Sequence, residues 1–481
     1  MHLIGTFTAI AFAATALLKP AAAAGNKTVR FKADHDSVLR NPATGWALYA
    51  ADLHLPDANA YWKEVEAFVP AASIVYIRLP WSLYETEEGA YGWEQPGNLK
   101  TLIDGAKQRG LKLAFRVVLN SKDCKQSAAP AYVRAAGAKG YDEKGEGGVP
   151  LWSPDARDPV FRAKFGKFLD AFAMAFDDPA AVDFIDAVGL GYWGEMHHLG
   201  FPREDRPEVY EWICSSYAAR FKRVLLGTQV VSDLGNSGPL DRSIAIGRHG
   251  YVARLDSLGS HWMWHEKLPS TIGDAPFFGE SCYFSLREWD MWKDPKEKFE
   301  NPRQVLEATM KDAFRYKANT LDLRKPNDCR TWFELAPDLV RRFVSEGGYR
   351  IFPEEISYPE KAEGQTLTIK HTWRNLGIGF LPNGNRRWNG KYRVAFALFR
   401  TGGTPPFAVH VDQNIDPGEW KGKSRHECST TIPFPTPSGT YQLAVSIVDT
   451  TRGNEPGIHL ATHDAKLVSG WTVIGKVAAG K

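Results

Sequence analysis

The sequence predicts an α/β protein: a (β/α)8 TIM barrel followed by a C-terminal antiparallel β-sandwich. Three observations carry this. Between about residue 43 and residue 350, eight β-rich runs alternate with amphipathic stretches, the pattern of a parallel sheet with crossover helices. Those eight units fill roughly 300 residues, the size of such a barrel, and no Gly-rich nucleotide loop of a doubly wound sheet occurs among them. After Tyr349 the texture changes to short alternating runs separated by Pro, Gly, Asn and Asp, with no helix-period segment between them.

The eight runs are ATGWALYA from 43, SIVYIRLPW from 73, KLAFRVVL from 112, FIDAVGLGYW from 184, RVLLGTQVV from 223, ARLDSLGSHW from 253, APFFGES from 275 and ANTLDLR from 318. Helices are predicted over 58–69, 97–109, 156–177, 206–222, 302–317 and 336–346. In the third of these, Phe161, Phe165, Phe168, Phe172 and Phe176 recur at three- or four-residue steps, one apolar face of a helix. A Gly-, Ala- and Lys-rich loop spans 135–149. The sandwich strands are TLTIKHTW, YRVAFALF, FAVHVDQN, ECSTTIPF, YQLAVSIV and WTVIG.

At the N-terminus, LIGTFTAIAFAATALL (residues 3–18) is short and Ala-rich for a membrane span, and AAAAG at 21–25 supplies an A-x-A cleavage site. The expected organisation is a signal peptide over 1–24, a barrel domain over 25–352 and a sandwich over 353–481, in a secreted or periplasmic protein. With 481 residues, 43% hydrophobic and 24% charged, the chain can bury a large core. A net charge of +3, with Lys and Arg dispersed, gives no footprint for nucleic acid or anionic lipid. No membrane association is expected after signal cleavage, and oligomeric state is not legible. The five cysteines show no C-x-x-C spacing and read as structural or inert.

In a barrel of this kind the site lies where the strands end, so the polar residues at strand ends matter most. They are Arg78 and Trp81 at the end of the second strand, Arg116 in the third, GLGYWGEMHH at the fourth, GSHWMW at the sixth and FFGES at the seventh. Glycosidic hydrolysis takes two carboxyl groups on opposite sides of the sugar, one to protonate the leaving oxygen and one to attack or to activate water. Glu195 and Glu280, ending the fourth and seventh strands, meet that need. An enclosed carboxyl should have a raised pKa unless a cation compensates. Arg78 is placed to pair with Glu280. His197, His198 and His261 can hydrogen-bond hydroxyls or tune the carboxyls, against the plainer reading of packing residues. Pyranose faces stack on indole, and Trp46, Trp81, Trp193, Trp262 and Trp264 gather at strand ends, with core packing as the competing explanation. EMHH and HWMWHE lack metal-ligand spacing, so no metal or cofactor is implied. No G-x-S-x-G elbow supports Ser281 as a nucleophile.

YIRLPWSLYETEEGAYGW (76–93) resembles the second-strand segment of clan A retaining barrel glycosidases, the clan of small β-galactosidases, β-agarases and cellulases, where a strand-end Arg is followed by a Trp and an E-x-x-E-G-x-Y-x-W loop. WGEMHH and GES resemble that clan's acid/base and nucleophile strands. Over most of residues 40–475 the chain also resembles bacterial barrel-plus-sandwich proteins of the DUF4832 type, including W-x-P-D-x-R-D-P before the third helix and G-x-W-G-E followed by His. The resemblance implies Glu195 as acid/base and Glu280 as nucleophile in a retaining double displacement on a carbohydrate. It departs at Gly194, where the clan usually has an Asn that binds the sugar 2-hydroxyl. Alternatives are a catalytically inactive carbohydrate-binding protein, an inverting hydrolase, or a lyase using Tyr192 or Tyr283. In the sandwich, Trp373, Trp388 and Trp420 can bind polysaccharide or serve packing, the latter weighted higher.

Overall fold

The computed structural model describes residues 25–230, 240–260, 272, 274–281, 299–362, 364–434 and 439–479. Eight parallel strands close into a barrel: Gly45–Asp52, Ala72–Pro80, Lys112–Val118, Val182–Asp186, Leu225–Gln229, Val252–Leu258, Phe277–Ser281 and Thr320–Arg324. Each hydrogen-bonds its sequence neighbours, and the eighth pairs with the first. Helices Ala58–Val65, Asn98–Gln108, Pro159–Phe176, Arg206–Arg220, Pro302–Arg315 and Pro337–Glu346 stand where the periodicity predicts them. A helix at Pro326–Leu335, a π-helical stretch at Asp241–Arg248 and a hairpin pairing Gly140–Lys144, within the supposed loop, with Pro150–Pro154, just past it, went unpredicted.

Side-chain alternation sorts the barrel residues into two cores. Outward positions such as Val75, Ile77, Leu113, Phe115, Ile185 and Leu321 pack under the helices. There the phenylalanine face of Pro159–Phe176 is buried, each ring contributing about 1.5–3 kcal/mol of transfer free energy. That helix also explains the W-x-P-D-x-R-D-P motif. Asp158 caps it by accepting from the Phe161 N–H at 2.9 Å, Pro159 begins its first turn, and Arg157 pairs with Asp155 and Asp205. Inward positions near the strand starts, among them Ile74, Phe184, Leu225, Val252 and Phe278, form an apolar floor continuous with the sandwich core.

The sandwich joins Ile351–Pro359, Thr366–Asn375 and Ser424–Pro433 in one antiparallel sheet, and sets Tyr392–Arg400, Thr440–Asp449 and Trp471–Ala478 in the other. One assignment changes. Residues Asn26–Arg30 pair antiparallel with Ile351–Pro359, so the first strand of the described chain belongs to the sandwich and not to the barrel segment 25–352. Trp373, Trp388 and Trp420 are all buried: Trp373 stacks on Trp420 at 5.4 Å, and the Trp388 indole donates to the Arg223 carbonyl. These rings pack the domain and present no surface to a polysaccharide. Cys124, Cys214, Cys329 and Cys428 are free thiols.

Candidate active site

The fourth barrel strand stops at Asp186, well before GLGYWGEMHH. The chain there winds tightly: Gly189, Gly191, Trp193, Gly194, Met196 and His198 all have positive φ. The Tyr192 N–H donates to the His197 carbonyl, and the Met196 N–H to that of Leu190. Asn120 holds the loop by accepting from the Gly191 N–H at 2.9 Å, and the Trp193 indole donates to Asp123. Two of these glycines show how closely the loop packs. A Cβ at Gly189 would lie 2.0 Å from the Val117 carbonyl oxygen, and one at Gly194 would lie 3.0 Å from Arg116 Cδ.

This winding turns Glu195 back into the barrel, where it is 1% exposed. Its Oε1 accepts from Arg78 Nη1 at 2.7 Å and from Arg116 Nη1 at 2.6 Å. Its Oε2 lies 4.0 Å from His197 Nε2. Arg78 and Arg116 are level with one another across the second and third strands, which is why both reach the same oxygen.

Glu280, on the seventh strand, is 0% exposed. Arg254 Nη2 donates to its Oε2 and Arg324 Nη1 to its Oε1, each at 2.5 Å. The expected pairing of Arg78 with Glu280 is therefore corrected. Arg78 serves Glu195 and, through Nε at 2.6 Å, Asp52. Strand adjacency decides the partners: Arg78 has Asp52 as its register neighbour, whereas Glu280 stands between the sixth strand, which carries Arg254, and the eighth, which carries Arg324.

Asp186 links the two halves. Its Oδ2 accepts from Tyr76 Oη at 2.5 Å and Arg116 Nη2 at 2.8 Å, and lies 2.8 Å from Arg254 Nε. A continuous path of charge thus runs Glu195, Arg116, Asp186, Arg254, Glu280. The guanidinium of Arg254 lies over the Tyr76 ring at 4.7 Å and that of Arg324 over Tyr49 at 5.0 Å, so aromatic faces support the cations from the floor side.

Burial alone would push the Glu280 carboxyl up, but Arg254 and then Arg324 outweigh it and hold the group below the usual carboxylate range. Two further carboxyls move the other way. Asp322 is pushed up to about 7 by burial and then by the charge of Glu280. Asp256, which accepts from Gln229 Nε2 at 2.7 Å, is raised well above its ordinary value by burial, by the charges of Glu195 and Glu280, and by a hydrogen bond with Glu195. An anionic carboxylate and a proton-holding carboxyl in one buried site are a pairing suited to attack combined with protonation.

The remaining candidates separate. His197 is half-buried beside Glu195, while His198 is exposed and stacks on Tyr192 at 4.6 Å. Trp193 is half-buried at the same loop. Trp81 does not reach the site: it is fully buried, its ring packs on Phe165 at 5.2 Å, and its indole N–H donates to Glu85. Glu85 also accepts from Tyr132 and the Gly89 N–H, which gives the E-x-x-E-G loop an architectural role. Trp46 is likewise core, donating to the Val340 carbonyl against Trp332. His261, Trp262, Trp264 and Tyr283 lie outside the described residues. Ser281 is buried, its hydroxyl donating to Asp322. Asp256, Asp322, Arg254, Arg324 and Asp186 were missed by sequence reasoning. Their signal was charge at alternate positions of otherwise apolar strands, as in RLD and LDLR.

No family model matches the chain, and no curated protein matches it. The DUF4832-type resemblance rests on its motifs alone. Among solved structures, the chain is similar to a β-galactosidase from Rahnella sp. R3, with 13% identity and a TM-score of 0.43, covering 70% of this chain and 59% of that one. It is similar to endo-glycoceramidase II from Rhodococcus sp., with 12% identity and a TM-score of 0.40, covering 82% and 97%. It is similar too to an exo-β-1,4-mannosidase from Opitutaceae bacterium strain TAV5, with 14% identity and a TM-score of 0.39, covering 66% and 58%. The chain spans less than two thirds of the length of the first and third of these.

Proposed function

We propose that this chain is an exported glycoside hydrolase that cleaves β-glycosidic bonds in a poly- or oligosaccharide by a retaining two-carboxylate mechanism. One observation carries the reading. Two buried glutamates, one on the loop that follows the fourth strand and one near the end of the seventh, meet in a single charged network at the C-terminal end of a closed (β/α)8 barrel. Glu280, kept anionic by Arg254 and Arg324, attacks the anomeric carbon. Glu195 gives the leaving oxygen its proton as that bond breaks, and a glycosyl-enzyme ester remains. Water then attacks the ester, losing its proton to Glu195, and the sugar leaves with its configuration retained. Asp256, whose proton is held by burial and the neighbouring charges, lends Glu195 the proton given to the leaving oxygen and takes back the one that water releases in the second step. Gly194 brings no side chain where the clan has its Asn, and a Cβ there would lie 3.0 Å from Arg116 Cδ, so the substrate is held without that contact.

The test is hydrolysis. The chain from Gly25 onward, with Glu195→Gln and Glu280→Gln variants, is assayed against aryl β-glycosides and plant, algal and bacterial polysaccharides for released reducing sugar. Cleavage of one substrate, falling about a thousandfold or more in both variants, is the expected result. Binding without cleavage across the panel, alike in all three proteins, favours a carbohydrate-binding protein instead.

A further inference from the structure

At the opposite end of the barrel, a cavity of about 360 Å³ lies where strand starts meet the sandwich. That volume is within the range of small-ligand pockets. Six cationic side chains line it. Arg40, Lys112 and Arg223 come from the barrel side, Lys112 opening the third strand and Arg223 preceding the fifth; Arg387, Lys391 and Arg452 come from the sandwich side. Three carboxylates, Asp178, Asp449 and Glu455, line it with them, and Asp177 and Asp183 stand behind the lining.

The cations are only partly neutralised by their partners. Arg40 donates to the carbonyls of Val69, Ala72 and Arg109, and Arg387 to those of Phe221 and His249, bonds that fix the side chains and leave their charge uncompensated. Lys112 donates to the Pro179 carbonyl at 2.8 Å and has its nearest carboxylate, Asp183, at 3.9 Å. Lys391 takes Asp449 at 3.1 Å. Arg223 is exposed and 3.9 Å from Asp177, and Arg452 makes no ion pair among the described residues. Burial lowers both lysines against the pull of Asp183 on Lys112 and of Asp449 on Lys391, and other cations of the cluster add to the lowering: Lys391 and Arg452 act on Lys112, Arg452 and Arg223 on Lys391. Like charges converging on an enclosed space are relieved by an anion between them.

We infer that this cavity binds a tetrahedral oxyanion, phosphate or sulfate, carried either free or as an ester on a saccharide. Bound there, the anion bridges barrel and sandwich, so occupancy stabilises the whole fold through RT ln(1 + [L]/Kd).

The experiment is thermal unfolding of the full chain in sodium phosphate, sulfate and chloride at equal ionic strength, alongside an Arg223→Gln/Arg452→Gln double variant. Both positions are exposed, so the variant's own melt in chloride is expected to match wild type. The expected result is a saturable rise in Tm with phosphate or sulfate over chloride, abolished in the double variant. Glucose 6-sulfate against glucose separates the sources: saturation at lower concentration than inorganic sulfate identifies the ester, and weaker binding identifies the free anion. Equal melting in all three salts, or a double variant that gains as much as wild type, overturns the proposal.

Discussion

At the scale of single residues, the site is governed by which carboxyl keeps a proton. Glu280 and Asp322 are neighbours that burial treats alike, yet two guanidinium groups hold one anionic while the other is pushed up to about 7. Folding therefore retains on Asp322 a proton that the unfolded chain releases near its ordinary value of 3.8. Raising the pH through the interval from 3.8 to about 7 pulls the equilibrium toward the unfolded state. Replacing Asp322 by Asn preserves an acceptor for the Ser281 hydroxyl and N–H and removes the proton. Urea unfolding at a series of pH values should show wild type losing stability relative to Asp322→Asn across that interval, with the two curves parallel above it. Glu195 and Glu280 were legible in the sequence because WGE and GES end predicted strands. The guanidinium partners were not, because pairing across a closed barrel depends on register, which a linear pattern does not contain. Arg78 on Asp52 and Glu195 is the instance.

At the scale of elements, the loop 189–198 does the positioning. Periodicity reads FIDAVGLGYW as one strand, but only Val182–Asp186 is extended. The glycines beyond it take left-handed positions that fold Glu195 inward. Gly194 is the informative case, since Asn tolerates its φ of 74° better than most side chains. Gly194→Asn places a Cβ 3.0 Å from Arg116 Cδ. It should cost about 1–3 kcal/mol in stability through strain and displaced packing. It should also lower kcat more than it raises KM, because Arg116 is shifted from Glu195 and no substrate contact is lost. Denaturant unfolding and steady-state kinetics check the two parts; a gain in kcat would mean that the clan's Asn contact can be grafted here. Helices read well at this scale because long apolar faces such as Phe161 to Phe176 tolerate errors of a residue or two. Pro326–Leu335 escaped notice because Asp328, Cys329, Thr331 and Trp332, the residues it buries, include two polar ones.

At the scale of the whole molecule, polarity is graded along the barrel axis. The strand starts supply an apolar floor that merges with the sandwich, and the strand ends supply arginines and carboxylates. A charged interior of this kind is stable only when each ion finds its partner, which the path from Glu195 through Arg116, Asp186 and Arg254 to Glu280 provides. Fold class followed from counting alternating segments, since eight strand-helix units leave little topological choice. The N-terminal strand Asn26–Arg30 was invisible to that count because its partner lies more than 300 residues away, in the sandwich. Trp81 and Trp46 show the same limit from the other side: indoles near strand ends look like sugar platforms until packing reveals which way they face.

Glu280 is proposed as the nucleophile of a retaining glycosidase. Covalent trapping tests it most directly: the chain and its Glu280→Gln variant are incubated with 2-deoxy-2-fluoro-glycosyl fluorides of several sugars, and intact mass and peptide mapping are recorded. One sugar is expected on wild type, on the peptide that contains Glu280, and none on the variant. An adduct on another carboxylate, or turnover of a glycoside with inverted configuration, would contradict it.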